Sequence, residues 1–519
     1  MITSNTQHGY PVSQRRGEHE RALARAALCV LLLALTACVG SIGKPDTAAI
    51  EGYEHAWATL DPSNPGGYHR EIDLIRSPLF RTVPALQQHD RLREAARLAL
   101  GSHDYATGHE FARRSSELPG ADVEDWQLRL DAAYFSGAHL DARRAMTQLA
   151  RRWPIELQQL NPSVVREVAR YPSESPIEKR ARFELLAALY AAYWTADDEV
   201  APYRLWGQLA AELFEKGEVN RALKVARRVD SPRFALWMHV DKRFDGFVSR
   251  EPQAFDIARA AQREVADWLD AVNRYPKRLD PIVQLSDTLL SVGRYAEGLN
   301  ITSAVLAKVR DSQGFKRVFD DDDTEVNWLL SSHSHALESL QRWRDAEWEL
   351  REAADRQEHG QRNVSNVIDL AQFEAEQGRG EEALKTIAEL PQDPAAISAY
   401  GRMQLYFVRV TAAVDEDDPA LEDQCITYMR AHQQDAPATY QWALVQVNRT
   451  DEAARLLIQR LADPETRGEA LLAVQRYRDP PVPPGIERLQ ERWRQIIRRE
   501  DVQKAIARVG RIIDVDLPS

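Results

Sequence analysis

A long stretch of helix-forming residues, interrupted by glycine and proline, is the feature that most constrains the fold of this chain. From about residue 89 to residue 479, Leu, Ala, Arg and Glu dominate, and the alternating apolar–polar pattern of β-strands is almost absent. Glycine or proline recurs at intervals that suit short pairs of helices joined by turns. The chain has 519 residues, more than one compact core usually holds. We therefore expect an all-α protein built of helical hairpins.

The clearest hairpin pattern lies near the middle of this stretch. Trp206 and Leu209 fall on one face of the first helix, where large residues fill the space between helices. Ala210 and Ala222 are small enough to let the two helices of a hairpin approach closely. Gly217 stands at the turn, where the absence of a Cβ atom permits a sharp change of direction. This spacing predicts a helix–turn–helix unit of about 34 residues.

Further units repeat this frame with lower fidelity, at Trp126, Gly137 and Ala142, at Gly293 and Gly298, at Ala371, Gly378 and Ala383, and at Ala453. The series resembles the tetratricopeptide-repeat family. That resemblance implies a helical-hairpin solenoid with a concave groove for protein partners. The distances between units are irregular, so we expect degenerate repeats. We also expect the body to grow as an open, curved stack that does not close around a chamber.

A short apolar segment near the start of the sequence is typical of a targeting signal. Residues 26–37 read AALCVLLLALTA and follow several arginines. As a helix this segment would cover only about 18 Å, too little to span about 30 Å of hydrocarbon. The following Leu35-Thr36-Ala37-Cys38 resembles the lipobox of bacterial lipoproteins. In that family the cysteine is lipidated and the chain is cut before it, so the resemblance implies a lipid on Cys38.

The residue after Cys38 bears on the destination of the protein. In the lipoprotein family an aspartate at this position retains the protein in the inner membrane, whereas here the residue is Val39. The resemblance therefore implies a lipid-anchored outer-membrane protein that faces the periplasm. Several acyl chains would give a durable anchor, because one chain alone binds membranes only marginally.

The sequence divides into four segments: a signal peptide at 1–37, a tether and N-terminal helical extension at 38–88, the repeat solenoid at 89–479, and a proline-rich break with a C-terminal capping helix at 480–519. Within the second segment we expect a short helix near 48–60. It is followed at 61–67 by a turn cluster that no helix should tolerate. In the last segment Ile486, Leu489, Trp493 and Ile496 share one stripe of a helix.

Motifs of catalysis, cofactor binding and metal binding are missing from the sequence. It has no phosphate-binding loop, no His-Glu-x-x-His pair and no Gly-x-Ser-x-Gly turn. His333 and His335 would point to different sides of a helix. The acidic run at 320–323 is read as a cap, through Asp323 or Thr324, of a helix beginning near Val326. We therefore predict no catalytic residue, no cofactor and no metal.

The overall charge and the few cysteines narrow the function further. A formal net charge of -12 argues against a nucleic-acid binder. Besides Cys29 in the apolar segment and Cys38 in the lipobox, the sequence contains only Cys425, which we expect to be a buried apolar residue. The leading hypothesis is a non-enzymatic scaffold that binds envelope proteins, in an assembly, secretion or polysaccharide-export machine. Two alternatives stay open: a helical glycan-active enzyme of the lyase or transglycosylase kind, and a glycan-binding lipoprotein that uses exposed tryptophans.

Overall fold

The computed structural model describes residues 47–60, 65–171, 173, 175–195, 202–311, 318–358, 361–390, 397–478 and 482–518. The lipobox, with Cys38, lies outside the described residues and stays a prediction. The chain forms two compact units that meet between Met146 and Thr147. In the described part of both units, no helix is long and apolar enough to cross a membrane.

The first unit is a set of packed helices. Its elements are α1 (Thr47–Ala58), α2 (Pro65–Arg76), a 3-10 turn (Pro78–Thr82), α3 (Ala85–Gly101), α4 (Tyr105–Ser116), α5 (Val123–Phe135) and the start of α6 (His139–Arg152). Phe80, Leu92 and Phe111 lie in its core. The prediction that residues 61–67 exclude a helix is wrong at its C-terminal end, because α2 begins at Pro65. The fixed φ and missing N–H of proline suit the first turn of a helix.

The second unit continues with short helices, many of them paired. Its first half contains α7 (Pro154–Leu157), α8 (Pro162–Arg170), α9 (Pro176–Ala191), α10 (Tyr203–Glu215), α11 (Val219–Ala226), α12 (Pro232–Val240), a 3-10 turn (Lys242–Phe244), α13 (Asp245–Val248), a 3-10 turn (Pro252–Phe255), α14 (Ile257–Arg274), α15 (Asp280–Ser291) and α16 (Tyr295–Asp311). Its second half contains α17 (Asp322–Ser339), α18 (Trp343–Asp355), β1 (Gln357–Glu358), β2 (Gln361–Arg362), α19 (Val364–Glu376), α20 (Gly380–Ala388), α21 (Ala399–Asp415), α22 (Pro419–Ala431), α23 (Pro437–Gln446), α24 (Thr450–Ala462), α25 (Pro464–Ala473), β3 (Arg476–Arg478), α26 (Pro484–Arg498), α27 (Glu500–Val509) and β4 (Asp514–Pro518).

The fold is therefore all-α, with TPR-like helical hairpins and degenerate repeats, as the sequence predicts. The strands are short: β1 and β2 pair antiparallel, and β3 pairs with β4 in parallel, with Arg476 opposite Asp514. The predicted C-terminal capping helix is α26. It buries Leu489, Trp493 and Ile496, and it is followed by α27 and β4.

Among the described residues, the same backbone turn ends nine helices, most of them the first helices of hairpins. In each case one residue has a positive φ, and these residues are His103, Gly137, Tyr193, Gly217, Gly293, Gln341, Gly378, Asp417 and Asn448. The N–H of the next residue donates to a carbonyl five residues earlier, as from Glu218 to Leu213 (2.9 Å). This is the Schellman arrangement, which satisfies carbonyls left open at a helix end. The turns are unevenly spaced, with His103 and Gly137 34 residues apart but Gly217 and Gly293 76 apart.

The second unit closes on itself, so the expectation of an open stack is wrong for this part of the chain. Helix α12 packs against α25, and Arg511 donates to the carbonyl of His239 (2.9 Å) and to Asp245 (2.7 Å). Gly510 lies at the contact, where a Cβ atom would come within 2.5 Å of the Val240 carbonyl oxygen. Only glycine allows the two backbones to approach this closely.

The acidic run at 320–323 also differs from its prediction. Helix α17 begins at Asp322 rather than near Val326, so Asp323 and Thr324 lie inside the helix. The Asp321 carboxylate instead accepts hydrogen bonds from the N–H groups of Leu279 (2.8 Å) and Asp280 (3.1 Å), at the start of α15. The run therefore connects two hairpins through a carboxylate placed at a helix N-terminus.

The turn residues generate a paired prediction on stability. Replacing Gly217 by Ala should lower the free energy of unfolding by about 1 kcal/mol, because a Cβ atom is strained at φ 76° although nothing surrounds it. Replacing Gln341 by Gly, at φ 59°, should raise the free energy of unfolding by a few tenths to about 1 kcal/mol. Urea unfolding measures both. A gain in stability from Gly217→Ala, a loss from Gln341→Gly, or no change in either variant would contradict this account of the turns.

Candidate functional site

Most residues predicted to define the repeats lie between helices rather than on an open surface. The buried members of this set are Ala142, Trp206, Leu209, Ala210, Ala222, Gly298, Ala371, Ala383 and Ala453. The turn glycines Gly137, Gly217 and Gly378 are exposed, Gly293 is half-buried, and Trp126 is half-buried beneath the Arg129 guanidinium. These residues therefore shape the packing within and between the hairpins.

A second set of residues lines the inner face of the second unit, formed by the first helices of its hairpins. Helix α15 packs on α17, α19 on α21, and α21 on α23, while the Asn366 amide donates to Ser331 (2.5 Å) between α19 and α17. The residues six positions before the turn residues of these five helices are Asp287, His335, Gln372, Thr411 and Trp442. A common register therefore runs along the layer. We call it the inner face.

Helix α26 covers the C-terminal part of the inner face. It packs against α19, α23 and α24. The Trp493 ring lies 4.9 Å from that of Trp442, and its Nε1 donates to the Ala473 carbonyl (3.3 Å). Arg492 donates to the carbonyls of Val445 (3.2 Å) and Gln446 (2.5 Å), where a cation is favoured by the C-terminus of α23.

The N-terminal part of the inner face, on α15, α17 and α19, is acidic. Asp287, Glu338, Asp369 and Glu376 all interact electrostatically with His335. Ser332 donates to Asp287, Ser334 to Glu338 (3.2 Å) and Gln372 to Glu376 (2.7 Å). Among the described residues, none of these four carboxylates forms an ion pair with Arg or Lys. We call this surface the acidic groove.

The carboxyl groups of the acidic groove are poorly hydrated although their side chains reach the surface. Asp287 and His335 are exposed and the other three residues are half-buried, yet desolvation raises the pKa of all four carboxyls. Glu376 reaches a pKa of about 7 through desolvation and the nearby Glu338, against the opposing effects of Gln372 and His335. Carboxylates that have no Arg or Lys partner among the described residues favour cationic groups.

Other residues considered from the sequence have structural surroundings. His333 is buried, its Nδ1 lies 2.7 Å from the Thr302 hydroxyl, and desolvation lowers its pKa to about 4. Cys425 is buried in the core, and desolvation raises the pKa of its thiol to about 11. Trp348 is 70% exposed, but it lies on α18, a second helix. In the described part of the chain, no group of three or more His, Cys, Asp or Glu is placed to hold a metal ion.

The sequence reading missed every carboxylate of the acidic groove. These residues stand at unremarkable places within helices that already contain many acids. Counting back from the turns would have aligned Asp287 with His335 and Gln372. That count requires the turn at Gln341, which carries no glycine, to be placed first.

Comparisons with known proteins give limited information. No protein-family model and no curated protein matches the chain. Among solved structures, the chain is similar to a Rap protein complexed with competence and sporulation factor (10% identity, TM-score 0.31, covering 81% of this chain and 99% of that one). It is also similar to Cut9 with Hcn1 from an APC/C hetero-tetramer (10%, 0.28, 94% and 94%) and to yeast Tom70 (13%, 0.25, 88% and 99%). TM-scores this low carry no conclusion about partners.

The pKa of Glu376 predicts a dependence of stability on pH. Its pKa rises from an ordinary value of 4.5 to about 7 in the folded protein. Between these values the folded state keeps a proton that the unfolded state releases, so stability should fall as the pH rises through this window. Replacing Glu376 by Gln should remove that slope and stabilise the protein by about 1–3 kcal/mol at pH 8.

Urea unfolding at pH 5 and pH 8 measures this effect. Glu382→Gln, an exposed change on α20, is the matched control and should leave the slope unchanged. A Glu376→Gln protein with the wild-type slope would show that Glu376 is hydrated and ionised like a surface carboxylate.

Proposed function

We propose that this protein is a scaffold that binds a basic segment of a partner protein in the acidic groove. The observation that carries the proposal is the division of the inner face into two parts. Helix α26 covers one part, and the other carries four carboxylates without an Arg or Lys partner among the described residues. An uncovered recess on a rigid helical layer is the usual form of a peptide-binding surface in stacked helical proteins.

The intramolecular contact of α26 supports a peptide-like occupant. The apolar stripe of α26 contacts the first helices, and Arg492 reaches carbonyls at the end of α23. The same layer therefore accepts a polypeptide segment through apolar packing and cationic side chains. On the uncovered part, carboxylates replace the tryptophan, and the preference shifts from apolar to cationic side chains.

The size of the acidic groove fits a short segment. Neighbouring helices pack about 8–10 Å apart, so α15, α17 and α19 span about 20 Å. An extended peptide of about six residues covers this distance at about 3.3 Å per residue. Lys or Arg side chains of such a segment would meet the carboxylates around His335. The net charge of -12 would assist the encounter more than the final affinity.

The scaffold is proposed to act at a membrane surface, and this part rests on the lipobox resemblance of residues 35–38 alone. Lipid on Cys38 would hold the groove near the outer membrane, facing the periplasm, among envelope machinery.

The anchor is testable in a bacterial cell that processes lipoproteins. The wild-type chain should incorporate an alkyne-tagged fatty acid and fractionate with membranes. Cys38→Ala should lose the label and appear in the soluble fraction, because the acylated thiol is gone. Cys425→Ala is the control and should behave like the wild type. Label that persists in the Cys38→Ala protein would refute the assignment.

Binding to the acidic groove is testable with a defined probe. A fluorescent octalysine peptide should bind the wild-type protein, with affinity that falls as salt is added. The triple change Asp287→Asn, Glu338→Gln and Asp369→Asn should weaken this binding about tenfold or more, because three carboxylates lose their charge. Fluorescence anisotropy measures the affinity, and an octaglutamate peptide should not bind.

The control for this experiment alters the same amount of charge elsewhere. The control variant carries Glu297→Gln, Glu381→Gln and Glu382→Gln, at exposed positions of second helices. It should change the affinity for octalysine less than twofold, because salt screens charges that lie far from the bound peptide. Equal losses in both triple variants would mean that the peptide senses only net charge. The acidic groove would then not be its site.

One observation favours a second candidate function, a glycan-active enzyme. A carboxylic acid with a pKa of about 7, as at Glu376, suits a general acid, and Glu338 lies near enough to influence it. Turnover of a cell-wall polysaccharide by the wild type, lost in Glu376→Gln, would support this function over the scaffold. Binding of octalysine without any turnover would support the scaffold.

A further inference from the structure

A separate cavity of about 1390 Å³ lies beneath α26. Its walls come from the inner face of α19, α21 and α23, from α24 and α25, and from α26 and α27. It is larger than most small-molecule pockets, which span about 300–1,000 Å³. We call it the C-terminal cavity. It lies beside the acidic groove, and Gln372 and Glu376 line it at that edge.

Arg460 of α24 lines the C-terminal cavity and is 5% exposed. Among the described residues, its side chain donates a single hydrogen bond, from Nη1 to the Gln441 amide oxygen, and its buried Nε has no acceptor there. Gln441 is neutral and also buried, and its own amide donates to the Ala453 carbonyl (3.2 Å). A guanidinium carries five N–H donors. Most of the donor capacity of Arg460 is therefore unused.

Among the described residues, no carboxylate forms an ion pair with Arg460. Glu469 acts on it electrostatically but without a hydrogen bond. The carboxylate of Glu469 is bonded instead to Arg204 (2.8 Å). Desolvation lowers the pKa of Arg460, in keeping with a buried cation that has no bonded anion. Buried cations in proteins are normally paired with an anion.

The remaining walls combine aromatic and cationic groups. Trp442 and Trp493 pack against one another with tilted rings, and Phe407 and Tyr477 add partly buried rings. Arg233 stands at the edge, exposed. Aromatic surfaces favour an apolar body, and the cations favour a negative head group.

We propose that the C-terminal cavity binds an organic anion, whose carboxylate or phosphate pairs with Arg460 and whose apolar body packs on Trp442 and Trp493. The ligand supplies the acceptors that the buried guanidinium lacks. A guanidinium fits either head group, because both present two oxygens to its planar fork. The site borders the acidic groove at Gln372 and Glu376, and it does not depend on the scaffold function.

Three probes with the same apolar body test the proposal: decanoate, decyl phosphate and decanol. Tryptophan fluorescence should report binding, because two tryptophans line the cavity. At least one of the two anions should bind saturably, and decanol about tenfold more weakly, since it offers no charge to Arg460. The preferred anion distinguishes a carboxylate head from a phosphate head. Absence of saturable binding by both anions, or equal binding of decanol, would overturn the proposal.

Two arginine variants of α24 complete the test. Arg460→Met should weaken anion binding about tenfold or more. It should keep or raise the thermal midpoint of the free protein, because a buried uncompensated charge is replaced by an apolar chain. Arg455→Met, at an exposed position of the same helix, should change neither property. Unchanged anion binding in Arg460→Met would overturn the proposal. A protein that fails to fold would do the same, because it would assign the guanidinium a structural role.

Discussion

The Schellman turn at the end of each first helix is the constraint on which the rest of the structure depends. It fixes the position of the last helical turn relative to the residue with positive φ, and so it fixes which side chains of the helix face inward. Asp287, His335 and Trp442 come to one surface because each stands six residues before such a turn. Glycine is the easiest residue at this position, but Gln341 and Asn448 adopt the same backbone. The hydrogen bonds of the turn are made by the main chain, which any residue carries.

The residues that pack the helices together differ from those that face the candidate binding surfaces. Alanines such as Ala210 and Ala371 form the notches between helices, where a larger side chain would separate the pair. The inner face and the walls of the C-terminal cavity are free of this requirement, and polar groups lie there at a cost in stability. The carboxyl of Glu376 and the guanidinium of Arg460 are both poorly hydrated, and neither has a partner of opposite charge bonded to it. Groups of this kind are concentrated where proteins meet ligands.

Much of the local structure could be predicted from the sequence, but the closure of the second unit on itself could not. The hairpins around Gly217 and Gly378 follow from small residues and turn glycines at regular spacing. The turns at His103 and Asp417 lack that signal, since neither residue type marks a helix end. The contact between Arg511 and His239 joins residues 272 positions apart. The spacing of apolar residues within a helix cannot predict a contact over such a distance in sequence. The acidic groove falls between these cases. Its register follows from the turns at Gly293, Gln341 and Gly378, but nothing in the sequence distinguishes its carboxylates from the many other acids on these helices.

Closure of the second unit changes what the inner face can do. In an open stack the whole length of the inner face would be accessible to partners. Here α26 covers part of the inner face, and because it belongs to the same chain it does so at a high effective concentration. The acidic groove and the C-terminal cavity then share Gln372 and Glu376 at their border. An anion held by Arg460 would add negative charge beside a surface that is already acidic, and would therefore favour a cation in the groove. By linkage, the cation would strengthen binding of the anion by the same factor. Two neighbouring sites of opposite preference would then each favour occupation of the other.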